Sequence, residues 1–167
     1  MKLKTLAIAA TVALVGLAGA ANAQEISRIG GAPGGPFVAI TGVPMGGGMT
    51  MYFVSGALPT PVTPAANGQP ANWGDTTAQT KSVFENIKKS MAAANLTLGD
   101  VVKATVYMGP ELSFADMNKV WLTEFGTAAQ PNKPARAAFR TNALVLPGAM
   151  LEIEFVAAKK VSTKKKK

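Results

Sequence analysis

The residues best equipped for chemistry cluster near the C-terminal end, in the run KPARAAFRTNALVLPGAMLEIEFVAAKK from Lys133 to Lys160. Arg136 can grip an anion through a planar guanidinium, and Glu152 or Glu154 can handle a proton or a water. A charge set into an apolar strand must be solvated, paired or used, because burying it alone is costly. Two readings are open at this point. One is a cross-strand Arg/Glu pair or a solvent-facing strip; the other is a site in which Arg136 holds an anionic substrate and a nearby Glu works on it. The turn residues Leu146, Pro147 and Gly148 separate two β-rich stretches, as in a hairpin or a short crossover. Alternation along a strand puts Arg136, Ala138 and Arg140 on one face, and Glu152 and Glu154 on one face of the next strand.

The missing residue types narrow the chemistry. There is no Cys and no His among the 167 residues. That excludes a disulfide framework, a thiolate nucleophile, an imidazole base and a His/Cys metal site, leaving Arg, Lys, carboxylates, hydroxyls, backbone groups and water. No metal and no organic cofactor is expected.

The N-terminus reads as an export signal. Lys2 and Lys4 precede an apolar run from Leu6 to Ala21, and Ala21-Asn22-Ala23 gives the small-x-small pattern of a cleavage site. The expected division is a signal peptide over 1–23, one domain over 24–160 and a basic tail over 161–167. The expected location is periplasmic or secreted, with no stable membrane anchor after cleavage. The formal charge of +8 resides at the ends: two lysines fall in the signal and six at Lys159, Lys160 and Lys164 to Lys167. The nine remaining basic residues are balanced by the nine acidic ones, so the body is formally neutral and a nucleic-acid partner is not expected.

The elements that must position these groups follow from periodicity. Gln24 to Gly35 is Gly-rich and reads as irregular or extended; Phe37 to Thr41 and Met49 to Ser55 read as strands joined by a turn over Pro44 to Gly48. Leu58 to Gly74 is a long loop. Asp75 caps a helix whose stripe is Val83, Phe84, Ile87, Met91 and Ala94. A strand over Val101 to Met108 places Val102, Ala104, Val106 and Met108 on one face. Ser113 then caps a second helix through Phe125, with Phe114, Met117, Val120, Trp121 and Phe125 on its apolar side. The order β-β-α-β-α-β-β predicts an α+β domain with a mixed sheet and two helices on one face. Both faces of the second strand are apolar, so self-association is expected.

Several strings, in this order, resemble the RidA/YjgF family of reactive-intermediate deaminases, also described under endoribonuclease L-PSP-like names. They are Phe53-Val54-Ser55-Gly56 with Leu58-Pro59, Gly99-Asp100-Val101-Val102-Lys103, Asn118-x-x-Trp121-x-x-x-Phe125, Pro134-Ala135-Arg136, Leu146-Pro147 and Leu151-Glu152-Ile153-Glu154. The resemblance runs from about Pro36 to Ala158. It implies a chorismate-mutase-like fold assembled as a homotrimer with a cleft at each subunit interface.

The resemblance also implies chemistry. Deaminating members hydrolyse 2-imino or 2-enamino acids to 2-keto acids and ammonia; Arg136 matches the carboxylate-clamping arginine and Glu152 the water-orienting glutamate. Ser55 and Asn118 match polar residues that hold substrate. Phe37, where a Tyr is common, and Ala138, where a Cys often occurs, are expected to line the substrate pocket as well, and Ala57 stands where a Gln is usual. Glu154 and Arg140 are expected to be structural, Arg140 as a partner of one of the glutamates. The alternative is a non-catalytic trimer that binds a small carboxylate in the same cleft. A nuclease reading is weakened by the absence of His and of a basic body.

Overall fold

The computed structural model describes residues 25–161. The expected signal peptide and most of the basic tail lie outside the described residues. The strands are β1 (Ser27–Ile29), β2 (Ile40–Gly46), β3 (Met49–Ala57), β4 (Val101–Met108), β5 (Ala135–Arg140) and β6 (Leu151–Lys160). The helices are α1 (Thr76–Ala92) and α2 (Phe114–Glu124). They complete an α+β fold with one six-stranded sheet, in the order β1-β2-β3-β6-β4-β5.

Local chemistry sets the helix limits. Asp75 accepts from the Ala78 amide at the start of α1, and Ser113 accepts from the Asp116 amide at the start of α2. Past the end of α1, Asn95 takes a left-handed conformation at φ 55°, and the Leu96 amide bonds back to the Met91 carbonyl. Asn tolerates that conformation better than most residues with a Cβ.

The sheet is antiparallel except between β4 and β5, which run parallel on either side of the α2 crossover. The last strand enters the middle of the sheet: β6 pairs with β3 along one edge and β4 along the other. Of the hairpin and the short crossover left open around Leu146-Pro147-Gly148, the chain forms the crossover. Segment 141–150 carries the chain past β4, and Gly148 within it adopts φ 90°, where a Cβ would also collide with the Trp73 indole. Gln79, fully buried on α1, fixes this segment from both sides by donating to the Gly148 carbonyl at 3.1 Å and accepting from the Met150 amide at 2.8 Å.

Both helices cover one sheet face. Tyr52, Val54, Ala104, Val106, Leu151, Ile153, Phe155 and Ala157 pack there against Val83, Phe84, Ile87 and Met91 of α1 and Met117, Val120 and Trp121 of α2. An aromatic cluster ties the layers, with Phe84 at 5.6 Å from Trp121 and Phe125 at 6.0 Å from Phe155, centroid to centroid. Such edge contacts add about 0.5–1.5 kcal/mol each beyond the area buried.

Three local expectations change. The Gly-rich N-terminus contains a short strand, β1, hydrogen-bonded to β2. The next strand begins at Ile40 rather than Phe37 and runs to Gly46, leaving only Gly47 and Gly48 between β2 and β3. In β4 the register against β6 shifts between Val101 and Lys103, so Val101 enters the core and Val102 is 47% exposed. No helix among the described residues is long and apolar enough to cross a membrane.

Candidate functional site

Arg136 sits on β5 opposite Ala104 of β4, and Ala104 is buried on the helix side. Directly paired residues share a face, so the guanidinium is directed toward α2. There Phe114, Asn118 and Trp121 recur at spacings of four and three, forming one stripe. Arg136 Nη2 donates to Asn118 Oδ1 at 2.8 Å, and its Cζ lies 4.5 Å from the centroid of Trp121 and 5.7 Å from that of Phe114. The ring of Phe114, expected in the core, is 43% exposed and borders this group instead. Burial lowers the Arg136 pKa, yet a guanidinium keeps its charge at any physiological pH. The ion pairs among the described residues are Lys88–Glu124, Lys119–Asp116 and Lys159–Asp100, so no carboxylate of the described chain neutralises it. A neutral amide oxygen and two ring faces orient the cation and leave its charge available to a ligand.

Arg140, two positions on, has a different role. It donates to the carbonyls of Gly109, Pro110 and Leu112 at 3.0–3.2 Å, which secures the segment before α2. The expected pairing with a glutamate does not occur. Ala138 lies between the two arginines on the same side of β5, opposite buried Val106.

Glu152 belongs to the other side of the sheet. Its neighbours Leu151 and Ile153 are buried under the helices, and it pairs directly with Tyr107, whereas Val106 points to the core. Arg136 and Glu152 thus occupy opposite faces of one sheet, with β4 between their strands. The period-two reading of each strand holds, but the strands are not neighbours, so no Arg/Glu cross-strand pair can form. Burial, and then the charge of Glu154, raises the Glu152 pKa. Tyr107 titrates above its usual range because of burial and the Glu154 carboxylate, which acts by charge and as an acceptor for its hydroxyl.

Gly56 makes room for Glu152. The pairing of β3 with β6 is irregular between Val54 and Ala57, and a Cβ on Gly56 would fall on the Glu152 carboxylate. Ser55, beside it, donates to the Val38 carbonyl at 2.8 Å, leaving its lone pairs as acceptors. A cavity of about 510 Å³ opens here, bordered by Phe37, Phe53, Ser55, Glu154 and Arg28. A smaller one, about 270 Å³, lies between Gly109 to Glu111 and segment 142–150.

Of the residues singled out from the sequence, the chain brings Phe37 and Ser55 together on the open face, near Glu152. It brings Arg136 and Asn118 together on the helix face, with Ala138 beside them. Glu154, expected to be structural, lines the larger cavity. Arg28 and the stacking role of Trp121 were not anticipated. The Asn118-x-x-Trp121 spacing could have revealed the second, whereas nothing in a Gly-rich terminus marks the first.

This arrangement has relatives. Residues 37–159 match the sequence profile of the family described as Endoribonuclease L-PSP. TdcF of Escherichia coli K12, assigned by name to the reactive intermediate deaminases, is 35% identical over 130 residues, 77% of this chain and 92% of TdcF. A RutC family protein of Pyrococcus horikoshii is 42% identical over 86 residues, and the match spans 64% of that protein's length. Among solved structures, E. coli TdcF with bound serine superposes with a TM-score of 0.58 at 32% identity, covering 79% of this chain and 94% of that one. A YjgF family protein from Neisseria meningitidis has a TM-score of 0.62 at 23% identity, covering 84% and 99%, and speaks to the fold. With its sheet, its two helices and its ordered motifs all accounted for, the chain belongs to the endoribonuclease L-PSP, or RidA/YjgF, family.

Proposed function

We propose that this protein is an exported hydrolytic deaminase that converts 2-imino or 2-enamino acids to 2-keto acids and ammonia, acting as a homotrimer. The observation that carries the proposal is the separation of Arg136 and Glu152. The anion anchor and the carboxylate with raised proton affinity lie on opposite faces of one chain, so a substrate can meet both only where the helix-side edge of one copy adjoins the open face of another. Phe53 and Phe139, both 48% exposed on that open face, give it the apolar surface an interface needs.

In this reading Arg136, oriented by Asn118 and Trp121, holds the substrate carboxylate. Glu152 takes a proton from water as the oxygen adds to the imine carbon and passes it to nitrogen; it then takes the proton of the resulting hydroxyl and delivers it to nitrogen as the C–N bond breaks and the carbonyl forms. One water is consumed and one ammonia released. The signal-like N-terminus supports a periplasmic or secreted location.

The test is complementation between inactive chains. Arg136→Ala and Glu152→Gln should each abolish hydrolysis of 2-iminopropionate generated in situ, with the oligomer intact. Unfolded together and reassembled at equal amounts, they should recover about a quarter of wild-type activity, because statistical mixing restores that share of sites. No recovery would place both groups in a site of another design. No acceleration by wild type over buffer would end the deaminase reading.

A second reading, a non-catalytic trimer binding a small carboxylate, is favoured by Phe37, Ala57 and Ala138. These supply no hydroxyl, amide or thiol to a reacting water. Retention of pyruvate without turnover of any imine would support it.

A further inference from the structure

The larger cavity holds a cation that the deaminase reading leaves unused. Arg28 pairs with Thr41 across β1 and β2, and Thr41 pairs with Phe53, so Arg28 stands at the outer end of a row crossing the open face. Among the residues lining the cavity, Arg28 is the only base and Glu154 the only acid. They are not ion-paired: the salt bridges among the described residues do not include either of them. Glu154 already faces Tyr107 on the neighbouring strand. Between Arg28 and Ser55 the cavity is lined by the rings of Phe37 and Phe53, with Thr41 next to Arg28.

We infer that Arg28 is a specificity-determining residue: it receives an anionic group on the substrate's side chain, so the preferred substrates are acidic 2-imino acids rather than neutral ones. This rests on the reading above and deepens it. Hydrolysis occurs near Glu152, beside Gly56 and Ser55, while the hydrocarbon part of the side chain crosses the phenyl rings. The distal carboxylate then meets a guanidinium that has no internal counter-ion among the described residues. A neutral side chain would leave that cation in water and gain nothing from it. Arg28 is exposed, so the preference should weaken as salt rises.

The experiment compares 2-iminoglutarate with 2-iminopropionate, each generated in situ by an amino acid oxidase, in wild type, Arg28→Gln and Arg28→Lys. The quantity read is the ratio of kcat/KM for the acidic over the neutral substrate. It should fall about fivefold in Arg28→Gln and be largely restored in Arg28→Lys, since a single exposed charge contact contributes on that order. An unchanged ratio in Arg28→Gln overturns the inference while leaving deamination standing. If wild type hydrolyses neither substrate, calorimetric binding of 2-oxoglutarate against pyruvate replaces the rates. A preference for 2-oxoglutarate that disappears in Arg28→Gln sustains the role of Arg28, and equal loss for both ligands or none overturns it.

Discussion

On one face of the sheet Arg136 is held by an amide and two aromatic rings that all come from α2; on the other, Glu152 and Glu154 stand together on β6, on a face that no helix among the described residues covers. The first arrangement is finished within the chain, because helix and strand are joined by a short connection and packed through Met117, Val120 and Trp121. The second is incomplete: it has raised proton affinity, exposed rings and a cavity, and no covering element among the described residues. Preorganised groups on a rigid element are the usual source of geometric selectivity. Under the proposed deaminase reading, orientation falls to the helix face and reactivity to the open face.

The most disruptive change is loss of the oriented charge itself. Arg136→Ala should lower kcat/KM for 2-iminopropionate by about a thousandfold, and Arg136→Lys by nearly as much, since an ammonium cannot reproduce the planar fork. Steady-state kinetics checks both, with sedimentation confirming an unchanged assembly. On the open face the corresponding change is Gly56→Val. It should cost about 2–3 kcal/mol of stability by displacing the Glu152 carboxylate and reduce turnover about a hundredfold; denaturant unfolding and rates together measure it.

Finer changes sharpen the division. Trp121→Phe keeps an apolar core residue but offers a weaker ring face, so KM should rise about threefold to fivefold with a smaller effect on kcat. A mainly catalytic effect would contradict a positioning role. The smallest expected signal is thermal. Glu152 has a folded pKa above its ordinary 4.5, so the folded state binds its proton more tightly than the unfolded state does. Its charged form therefore subtracts stability as pH rises through and above that value. Glu152→Gln should raise Tm slightly at pH 7 and leave it unchanged near pH 3, which a pair of melting curves would resolve.

Much of this was legible beforehand. Asp75 and Ser113 marked their helices because an oxygen at a helix start has amides to satisfy. The alternation in Leu151 to Ala157 marked β6 because one of its faces is buried and the other is not. What alternation does not encode is the partner of a strand. Proximity in sequence favoured pairing the stretches around Arg136 and Glu152, whereas β6 makes two long ladders by inserting between β3 and β4. The displaced Val102 depends on a bulge, and β1 is too short at three residues to leave a pattern. The spacing of Asn118 and Trp121 puts them on one stripe, but only the position of β5 turns that stripe into a holder for Arg136. Arg28 was invisible as a site residue because its meaning depends wholly on which strand lies beside it.

The buried carboxamide of Gln79 has a dynamic consequence. The Met150 amide can exchange with solvent deuterium only when its bond to Gln79 opens, and Gln79 is carried by a helix packed across β3 and β6. Exchange at Met150 should therefore proceed at the pace of α1 leaving the sheet, as slowly as in the central strands, although the residue belongs to an irregular segment. That one amide reports on the tightness with which the connection between the two functional strands is closed.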